Sequence, residues 1–300
     1  MAIDRGTARL LLEEHRQRPF DGSVLQLGRQ TVLFSERQLR AWAEVTPVVL
    51  HCIPSERLGG MRDGNGATGR RLDDEVFFKL LGFGEVQSCD VSPYEGATLL
   101  ADLNQPVTPA MQGRFDMIFN GGTLEHIFDM RAALANVHKM LRVGGRAIHI
   151  APSSNTIDHG FYSISPTLFD DYYSANHYSI LTLYLFECHS WTGEWAIYDY
   201  GRGRMDSRLG RTCSAKMAGV YCVVQKTAGS TADAGPAQTD FARLWQSGRE
   251  DGGSARMTPL KEAVTEHFPD AAEMVFWTRG LVWRQPSVRR RSMPPLVHRY

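Results

Sequence analysis

One segment of the chain places residue types that are common in active sites at the end of a predicted strand. Phe115–His126 reads FDMIFNGGTLEH: a short apolar run, then Asn120, a glycine turn and the titratable pair Glu125 and His126. The apolar run predicts a strand, and Thr123 is the predicted N-cap of the helix that follows. Ligands of open α/β sheets bind at the carboxyl ends of the strands. This segment is therefore the first candidate for a functional site.

Other predicted strands also end in small or polar residues. Gly28, Asp90 and Asp102 each stand where one of these strands stops, and Asn104 follows closely. A nucleoside cofactor bound to a doubly wound sheet needs a glycine where the backbone passes close to it and an acid that binds the ribose hydroxyls. It also needs a polar group for the adenine edge. Together these strand ends predict a nucleoside-binding edge of the sheet.

The elements that position these residues alternate along the first half of the chain. Strands are predicted at 23–27, 86–90, 97–101, 116–119 and 146–151, and helices at 7–17, from 36 to about 43, at 72–82, from 124 or 129 to 141, and at 166–175. This alternation predicts an α/β fold with a doubly wound, mostly parallel, Rossmann-like sheet. Three later strands, at 179–189, 195–200 and 220–224, have no helices between them and predict an antiparallel C-terminal edge.

Punctuating residues support these boundaries and divide the chain. Ser35 and Gln38 have the spacing of a capping box, and Gly144-Gly145 is the predicted stop of the helix that ends at 141. We predict a Rossmann-like domain over 1–226 with a glycine-rich insert at 46–71, and a small-residue linker at 227–239. A helical extension over 240–300 is expected to end in a solvated, arginine-rich tail.

Composition excludes several classes of protein. The chain has 300 residues, 43% of them hydrophobic and 22% charged, and a formal net charge of zero. This balance gives no indication of a nucleic-acid partner, and no apolar run approaches the roughly 18 residues that a membrane span needs. The five cysteines include no CxxC pair, which favours a reducing compartment without disulfides or a zinc site. The sequence is therefore interpreted as cytoplasmic, with no predicted metal.

Several segments in combination resemble class I S-adenosylmethionine-dependent methyltransferases, specifically the bacterial type-11 methyltransferase domains. The resemblance spans roughly residues 23–186 and is carried by LGFGEVQSCDVSPYEGATLLADLN, FDMIFNGGTLEHIFD, MLRVGGRAIHIAP and HGFYSISPTLF. It implies the class I methyltransferase fold and S-adenosyl-L-methionine as cofactor. The positions that it assigns to the cofactor are Gly28, Arg29 and Gln30 in the first loop, Asp90 and Val91 at the ribose, Asp102 and Leu103 at the adenine, and Asn120 and Gly121 at the methionine part and the methyl group.

The first loop departs from the family pattern. The family usually has an acid followed by GxGxG, whereas this chain has Gln26-Leu27-Gly28-Arg29-Gln30, with one glycine and an arginine where small residues are usual. The insert at 46–71 also lengthens the spacing to Asp90. Two readings follow from this departure: the cofactor binds with altered geometry, or the domain is a non-catalytic partner or scaffold that has lost the site.

Three residues are candidates for work on the acceptor. His126 could serve as a general base or could bind the backbone of its own turn. His159 and Tyr162 could contact substrate or could belong to a loop packed on the sheet edge. Glu125 could stabilise the helix dipole or hold the cationic sulfonium. His149, between two isoleucines in a strand, is predicted to be structural.

The resemblance implies methyl transfer in line to a small-molecule or glycan-type acceptor. The first alternative is the non-catalytic partner protein, and the second is a sulfonium-cofactor enzyme that performs alkyl transfer or cyclisation. The C-terminal tail with Trp277 and Trp283 leaves room for a homo-oligomer.

Overall fold

The computed structural model describes residues 2–53, 71–190, 193–201, 216–238 and 296–300. Most of the predicted insert, the predicted helices of the C-terminal extension, and Trp277 and Trp283 lie outside these ranges. The helices are α1 (Arg5–Gln17), α2 (Glu36–Val45), α3 (Asp74–Leu80), α4 (Met130–Met140) and α5 (Pro166–Ala175). The strands are β1 (Ala2–Ile3), β2 (Ser23–Leu27), β3 (Thr31–Val32), β4 (Glu85–Asp90), β5 (Leu99–Leu100), β6 (Phe115–Gly121), β7 (Leu141–Ser154), β8 (Ser179–Cys188), β9 (Trp195–Asp199), β10 (Met217–Gln225) and β11 (Leu296–Arg299).

Nine of these strands form one sheet in the order β11-β9-β8-β10-β7-β6-β2-β4-β5. The five strands from β7 to β5 are parallel to their neighbours, and β10, β8, β9 and β11 pair antiparallel. From β2 the chain first fills one side with β4 and β5, and then the other side with β6 and β7. The point of reversal, between β2 and β6, is the topological switch point at which doubly wound sheets bind ligands. The predicted doubly wound, mostly parallel sheet with an antiparallel C-terminal edge is confirmed.

Helices cover both faces of the parallel part of this sheet. All five residues of β2 are buried, as expected for a strand covered on both faces. One apolar cluster joins the sheet to α1, α2 and α3, for example through Leu11 and Phe77, and the other joins it to α4 and α5 through Val137 and Phe169. The short strands β1 and β3 pair separately, and they bring the N-terminus to the edge where the parallel strands end.

The predicted helix cap at Ser35, with Gln38, is confirmed, and Ser165 caps α5 by accepting from the Thr167 amide. Two other punctuation predictions are wrong. Thr123 caps no helix with its side chain: β6 runs through Gly121, a single 3-10 turn covers Leu124–His126, and α4 begins after Asp129, whose carboxylate accepts from the Ala132 amide. Gly144 stops no helix either, because β7 already begins at Leu141 and the Gly144 amide donates to the Lys226 carbonyl.

The last five residues correct the prediction of a solvated tail. Residues 296–299 form the outermost strand of the sheet, and the Arg299 guanidinium lies 2.5 Å from Glu194. Tyr300 is buried, and Arg9 of α1 stacks over its ring. The predicted linker is also attached to the domain where it is described, since Thr231 and Ala234 bind the side chain of Asn176 at the end of α5.

Candidate functional site

Gly28 forms the turn that leaves β2 at the switch point. Its φ of +71° lies in the left-handed region that favours glycine. Its amide donates to the carbonyl of Cys89 in the neighbouring strand β4, at 2.7 Å. The single glycine of this loop therefore stands where the backbone conformation requires one.

Arg29 is held by two acids at the start of α3, the N-cap Asp73 and the first helical residue Asp74. Its guanidinium lies 2.6 Å from Asp74 and 3.3 Å from Asp73. The second oxygen of Asp74 accepts from the Gln30 amide at 3.1 Å, and burial raises the pKa of this carboxyl. Ionic and backbone contacts thus hold a loop that lacks the usual glycines. Asp73 and Asp74, which follow the insert in the sequence, were not predicted to belong to the site.

The Gln30 side chain is buried against the end of β6. Its Nε2 donates to the Leu27 carbonyl at 3.2 Å, which leaves Oε1 as the end of the amide that faces Gly121. A Cβ added to Gly121 would lie 2.9 Å from this Oε1, so only glycine fits there. Among the described residues Oε1 has no hydrogen-bond partner.

Asn120 organises the turn that follows β6. It is fully buried, and its Oδ1 accepts from the amides of Thr123 and Leu124 at 2.9 and 3.0 Å. The Thr123 hydroxyl donates to the Leu27 carbonyl, which joins the turn to β2. Within the described part of the chain the Asn120 Nδ2 has no hydrogen-bond partner. The structure therefore places Asn120 in the turn that follows β6 and brings Gly121 beside Gln30.

The predicted nucleoside positions lie further along the same edge. The Asp90 Oδ1 accepts from the Ser92 amide at 3.2 Å, and Val91 is exposed. Asp102 is also accessible, and hydrogen bonds from both the backbone and the side chain of Asn104 lower its pKa. Leu103 differs, because its side chain is buried in the core and its carbonyl accepts from Asn136.

A cavity of about 320 Å³ opens beside the ends of β6 and β7, and we call it the β6–β7 cavity. It is lined by Ala2, Asp4, Thr7, Thr31, Leu33, Gly121, Gly122, Glu125, His126, Ile150, Ala151, Pro152, His159 and Trp195. Two of the three candidates for acceptor chemistry, His126 and His159, therefore share one cavity with Gly121. Its volume is at the lower end of the range for small-molecule sites.

Glu125 is the most unusual residue of this cavity. The whole residue is buried, and neither carboxylate oxygen has a hydrogen-bond partner among the described residues. Burial raises the pKa of this carboxyl to about 7. A buried ionised carboxylate is costly unless it is paired. The geometry therefore leaves Glu125 ready to hold a proton or a cation.

The two histidines lie beside this carboxylate. Their ring centroids are 5.2 Å apart, and the His159 Nε2 lies 3.7 Å from the Glu125 Oε1. Burial and then the neighbouring His159 lower the pKa of His126, which favours the neutral imidazole. The sequence predicted both histidines as candidates, but it did not predict that they would be adjacent.

The loops that follow β6 and β7 are clamped together. The amides of Phe161 and Tyr162 both donate to the Glu125 carbonyl, at 2.8 and 3.3 Å. The Tyr162 hydroxyl donates to the Phe128 carbonyl at 2.6 Å, and the rings of Phe128 and Phe161 meet edge to face. Tyr162 therefore positions the loop that carries His159, and it is absent from the cavity lining.

Asp4 is a second buried acid of the β6–β7 cavity that the sequence did not reveal. It caps α1 by accepting from the Thr7 amide at 2.9 Å. Burial raises its pKa to about 7. The signal that could have found it is its place just before α1, but a helix cap is the ordinary interpretation of an aspartate there.

His149 lies in the core, which agrees with the structural role predicted for it. It is fully buried, its Nε2 lies 2.6 Å from the Tyr173 hydroxyl, and burial lowers its pKa to about 3.

In the part of the chain that the structure describes, no helix is long and apolar enough to cross a bilayer.

Comparison with known proteins adds solved structures to this geometry. No family model and no curated protein sequence matches the chain. The Burkholderia thailandensis 1,6-didemethyltoxoflavin-N1-methyltransferase, with 1,6-didemethyltoxoflavin and S-adenosylhomocysteine bound, is 14% identical over 73% of this chain and 76% of its own, with a TM-score of 0.30. An S-adenosylmethionine-dependent methyltransferase from Mesorhizobium loti is 12% identical over 74% and 99%, with a TM-score of 0.37.

A geranyl diphosphate methyltransferase in complex with S-adenosylmethionine is also similar. It is 11% identical over 74% of this chain and 85% of its own, with a TM-score of 0.38. All three proteins are methyltransferases, the class that the sequence motifs resemble. Since their TM-scores are below 0.5, the fold assignment rests on the strand order and strand ends of this chain itself.

Proposed function

We propose that this protein is an S-adenosylmethionine-dependent methyltransferase that acts on a small-molecule or glycan-type acceptor. One observation carries the proposal: Gly28, Asp90, Asp102, Asn120 and Gly121 lie at one sheet edge, next to a cavity that holds a buried carboxyl and two imidazoles. Nucleoside cofactors bind at such an edge. The cavity then supplies the place for the acceptor.

The residues present fit this cofactor. The buried Gln30 Oε1 is an acceptor without a partner in the described chain, and it faces Gly121, where the resemblance expects the methionine part. An ammonium group is a donor that would satisfy it. At the other end, Asp90 presents a partly accessible carboxylate to the ribose hydroxyls. When bound, the cofactor supplies an electrophilic methyl group on a sulfonium.

The chain itself contributes positioning, a proton acceptor and exclusion of water. Holding acceptor and donor in line supplies much of the catalysis in a displacement of this kind. Apolar side chains in the cavity wall, which include Leu33, Ile150 and Trp195, would displace water around a bound acceptor. His126, with a lowered pKa, and Glu125, with a raised one, are the groups placed to take a proton from the acceptor.

The non-catalytic alternative is favoured by a specific contact. Gln30 packs directly on Gly121, and Arg29 is tied to Asp74, so this loop is held more tightly than a glycine-rich one. In that case the same edge would serve as a scaffold only. The two functions differ in whether the chain binds the cofactor.

Isothermal titration calorimetry with S-adenosylmethionine and S-adenosylhomocysteine tests the proposal. We expect both to bind, and we expect Asp90→Ala to weaken binding by about tenfold, since it removes a hydrogen bond worth roughly 1.4 kcal/mol. Asp21→Ala, an exposed acid in the loop before β2, is the matched control and should leave binding unchanged. Absence of heat with either ligand would leave the scaffold as the surviving function.

A further inference from the structure

We propose that Glu125, His126 and His159 bind one divalent transition-metal ion, with its open coordination positions facing the β6–β7 cavity. One ligand atom from each residue can be chosen so that all three lie within 4.8 Å of one another. The His159 Nε2 and the Glu125 Oε1 are already 3.7 Å apart. In a tetrahedral site with metal–ligand bonds of about 2.0–2.1 Å, ligand atoms lie roughly 3.4 Å apart. Small side-chain rotations therefore complete the arrangement.

The backbone is built to keep these groups together. Two amides of the loop after β7 donate to the Glu125 carbonyl, and the Tyr162 hydroxyl ties the same loop to Phe128. Gly160 makes this approach possible, because a Cβ there would lie 2.8 Å from the Glu125 carbonyl oxygen. Two segments that are distant in sequence are thus held at a fixed separation, which is what a metal site needs from its scaffold.

The buried carboxylate is the independent observation that points to a cation. Both Glu125 oxygens are buried and lack a hydrogen-bond partner in the described residues, and no lysine or arginine lines the cavity. A carboxylate in that setting carries a desolvation cost, and the His159 Nε2, at 3.7 Å, is too far from it to make a hydrogen bond. Coordination of a metal ion by this carboxylate would offset that cost.

The donor set selects the class of metal. Two imidazoles and one carboxylate are the ligands of catalytic zinc sites and of non-haem iron sites, which keep positions open for water or substrate. Mg²⁺ and Ca²⁺ prefer oxygen ligands throughout. The open positions would take water or, in a step that rests on the proposed methyl transfer, an oxygen of the acceptor, which the metal would polarise.

Titration of the chelator-treated full chain with Co²⁺ and Zn²⁺ tests the site without any assay of activity. We expect one equivalent to bind, with the visible d–d absorption of Co²⁺ coordinated by nitrogen and oxygen. Loss of an outer-shell partner already costs 10–100-fold in metal affinity, so His159→Ala should weaken binding by about 100-fold or more. The His159 side chain is 45% exposed, so we expect its removal to leave the fold intact.

Two matched controls separate the site from incidental binding. His189→Ala removes an exposed histidine elsewhere, and Glu44→Gln removes an exposed acid of α2, so both should bind Co²⁺ like the parent chain. Glu125→Gln, with its melting curve recorded, should lose binding as His159→Ala does. The proposal is overturned if the parent chain binds no Co²⁺ or if His159→Ala binds it equally well. Calorimetry with S-adenosylmethionine on the same samples reports the proposed function independently.

Discussion

The sheet edge at which the parallel strands end has two halves, and the acidic residues of the two halves lie in opposite environments. Beside β2, β4 and β5, Asp74 is paired with Arg29, and Asp102 is exposed and hydrogen-bonded to Asn104. Beside β6 and β7, Asp4 and Glu125 are buried, the described lining of their cavity contains no lysine or arginine, and burial raises the pKa of each to about 7. The carboxylates of the first half already have partners, whereas those of the second half favour the binding of a proton or a cation.

This difference indicates which half binds and which half reacts. Polar groups that already have partners at an accessible edge are suited to recognising a nucleoside. The hydroxyls and ring nitrogens of a nucleoside exchange hydrogen bonds with water for hydrogen bonds with the protein, and no charge changes in that exchange. Buried groups with perturbed pKa values in a cavity are typical of sites where charge changes during a reaction. The contrast also separates the expected effects of substitutions on the two sides.

The largest expected effect is on the pH dependence of stability, through Asp4→Asn. Burial raises the Asp4 pKa from 3.8 to about 7, so the stability that this group contributes is present below about pH 4 and is lost as pH rises through about 7. Asparagine retains the helix cap but does not titrate. Relative to the parent, the variant should gain roughly 4 kcal/mol in unfolding free energy over this range, at about 1.4 kcal/mol per pKa unit.

Urea unfolding of both proteins at several pH values measures this difference. The ligand-free chain must be used, because a bound cation would lower the same pKa. Parallel stability–pH curves for the two proteins would show that the Asp4 pKa is not raised by folding. Only Glu125 would then support the contrast between the two halves.

Gly6→Ala probes how tightly the β6–β7 cavity is covered. A Cβ at Gly6 would lie 2.0 Å from the ring of Trp195, which is itself fully buried against Phe186. Overpacking of this kind typically costs 1–3 kcal/mol, so we expect a loss of about 2 kcal/mol in unfolding free energy. Gly235→Ala, where nothing lies within 4 Å, is the matched control and should be neutral. Equal stability of the two variants would mean that Trp195 moves freely.

A crossed pair of substitutions separates the two halves by ligand. Asp90→Asn should weaken S-adenosylmethionine binding by about tenfold, or roughly 1.4 kcal/mol, and leave Co²⁺ binding unchanged. Glu125→Gln should leave S-adenosylmethionine binding unchanged and weaken Co²⁺ binding by about 100-fold or more, as His159→Ala does. Calorimetry with each ligand on both proteins gives four affinities, and a common loss in either variant would show that the halves form a single site.

The smallest expected effect is that of Arg29→Met, which keeps the aliphatic stem and removes the charge. The side chain of Asp74, which is 1% exposed, would lose its cationic partner but keep the hydrogen bond from the Gln30 amide, so we expect a cost of about 1 kcal/mol. Arg40→Met is the control, because its ion pair with Glu36 is more exposed and should contribute less. Thermal unfolding compares the two, and a larger loss for Arg40→Met would contradict the role given to the Arg29–Asp74 pair.

Much of the first half of the edge was predictable because its signals are local. The end of a strand can be located from a few neighbouring residues when it carries a glycine or an acid, as at Gly28 and Asp90. The alternation of strands and helices predicts the parallel sheet. The capping box of Ser35 and Gln38 was equally visible. The failures were also local. Asn120 caps the turn in place of Thr123, because its buried side-chain oxygen accepts hydrogen bonds from the backbone amides of Thr123 and Leu124.

The second half could not be predicted from the sequence, because its parts come from distant segments. The sequence by itself determined the class of fold, the alternation of strands and helices, and the candidates His126 and His159. Only the tertiary structure brought Asp4, Glu125 and the two histidines into one cavity and buried the carboxyls. Burial and the absence of a partner depend on packing around a group rather than on its neighbours in sequence, and these two properties distinguish an ordinary first-turn glutamate from a candidate ligand.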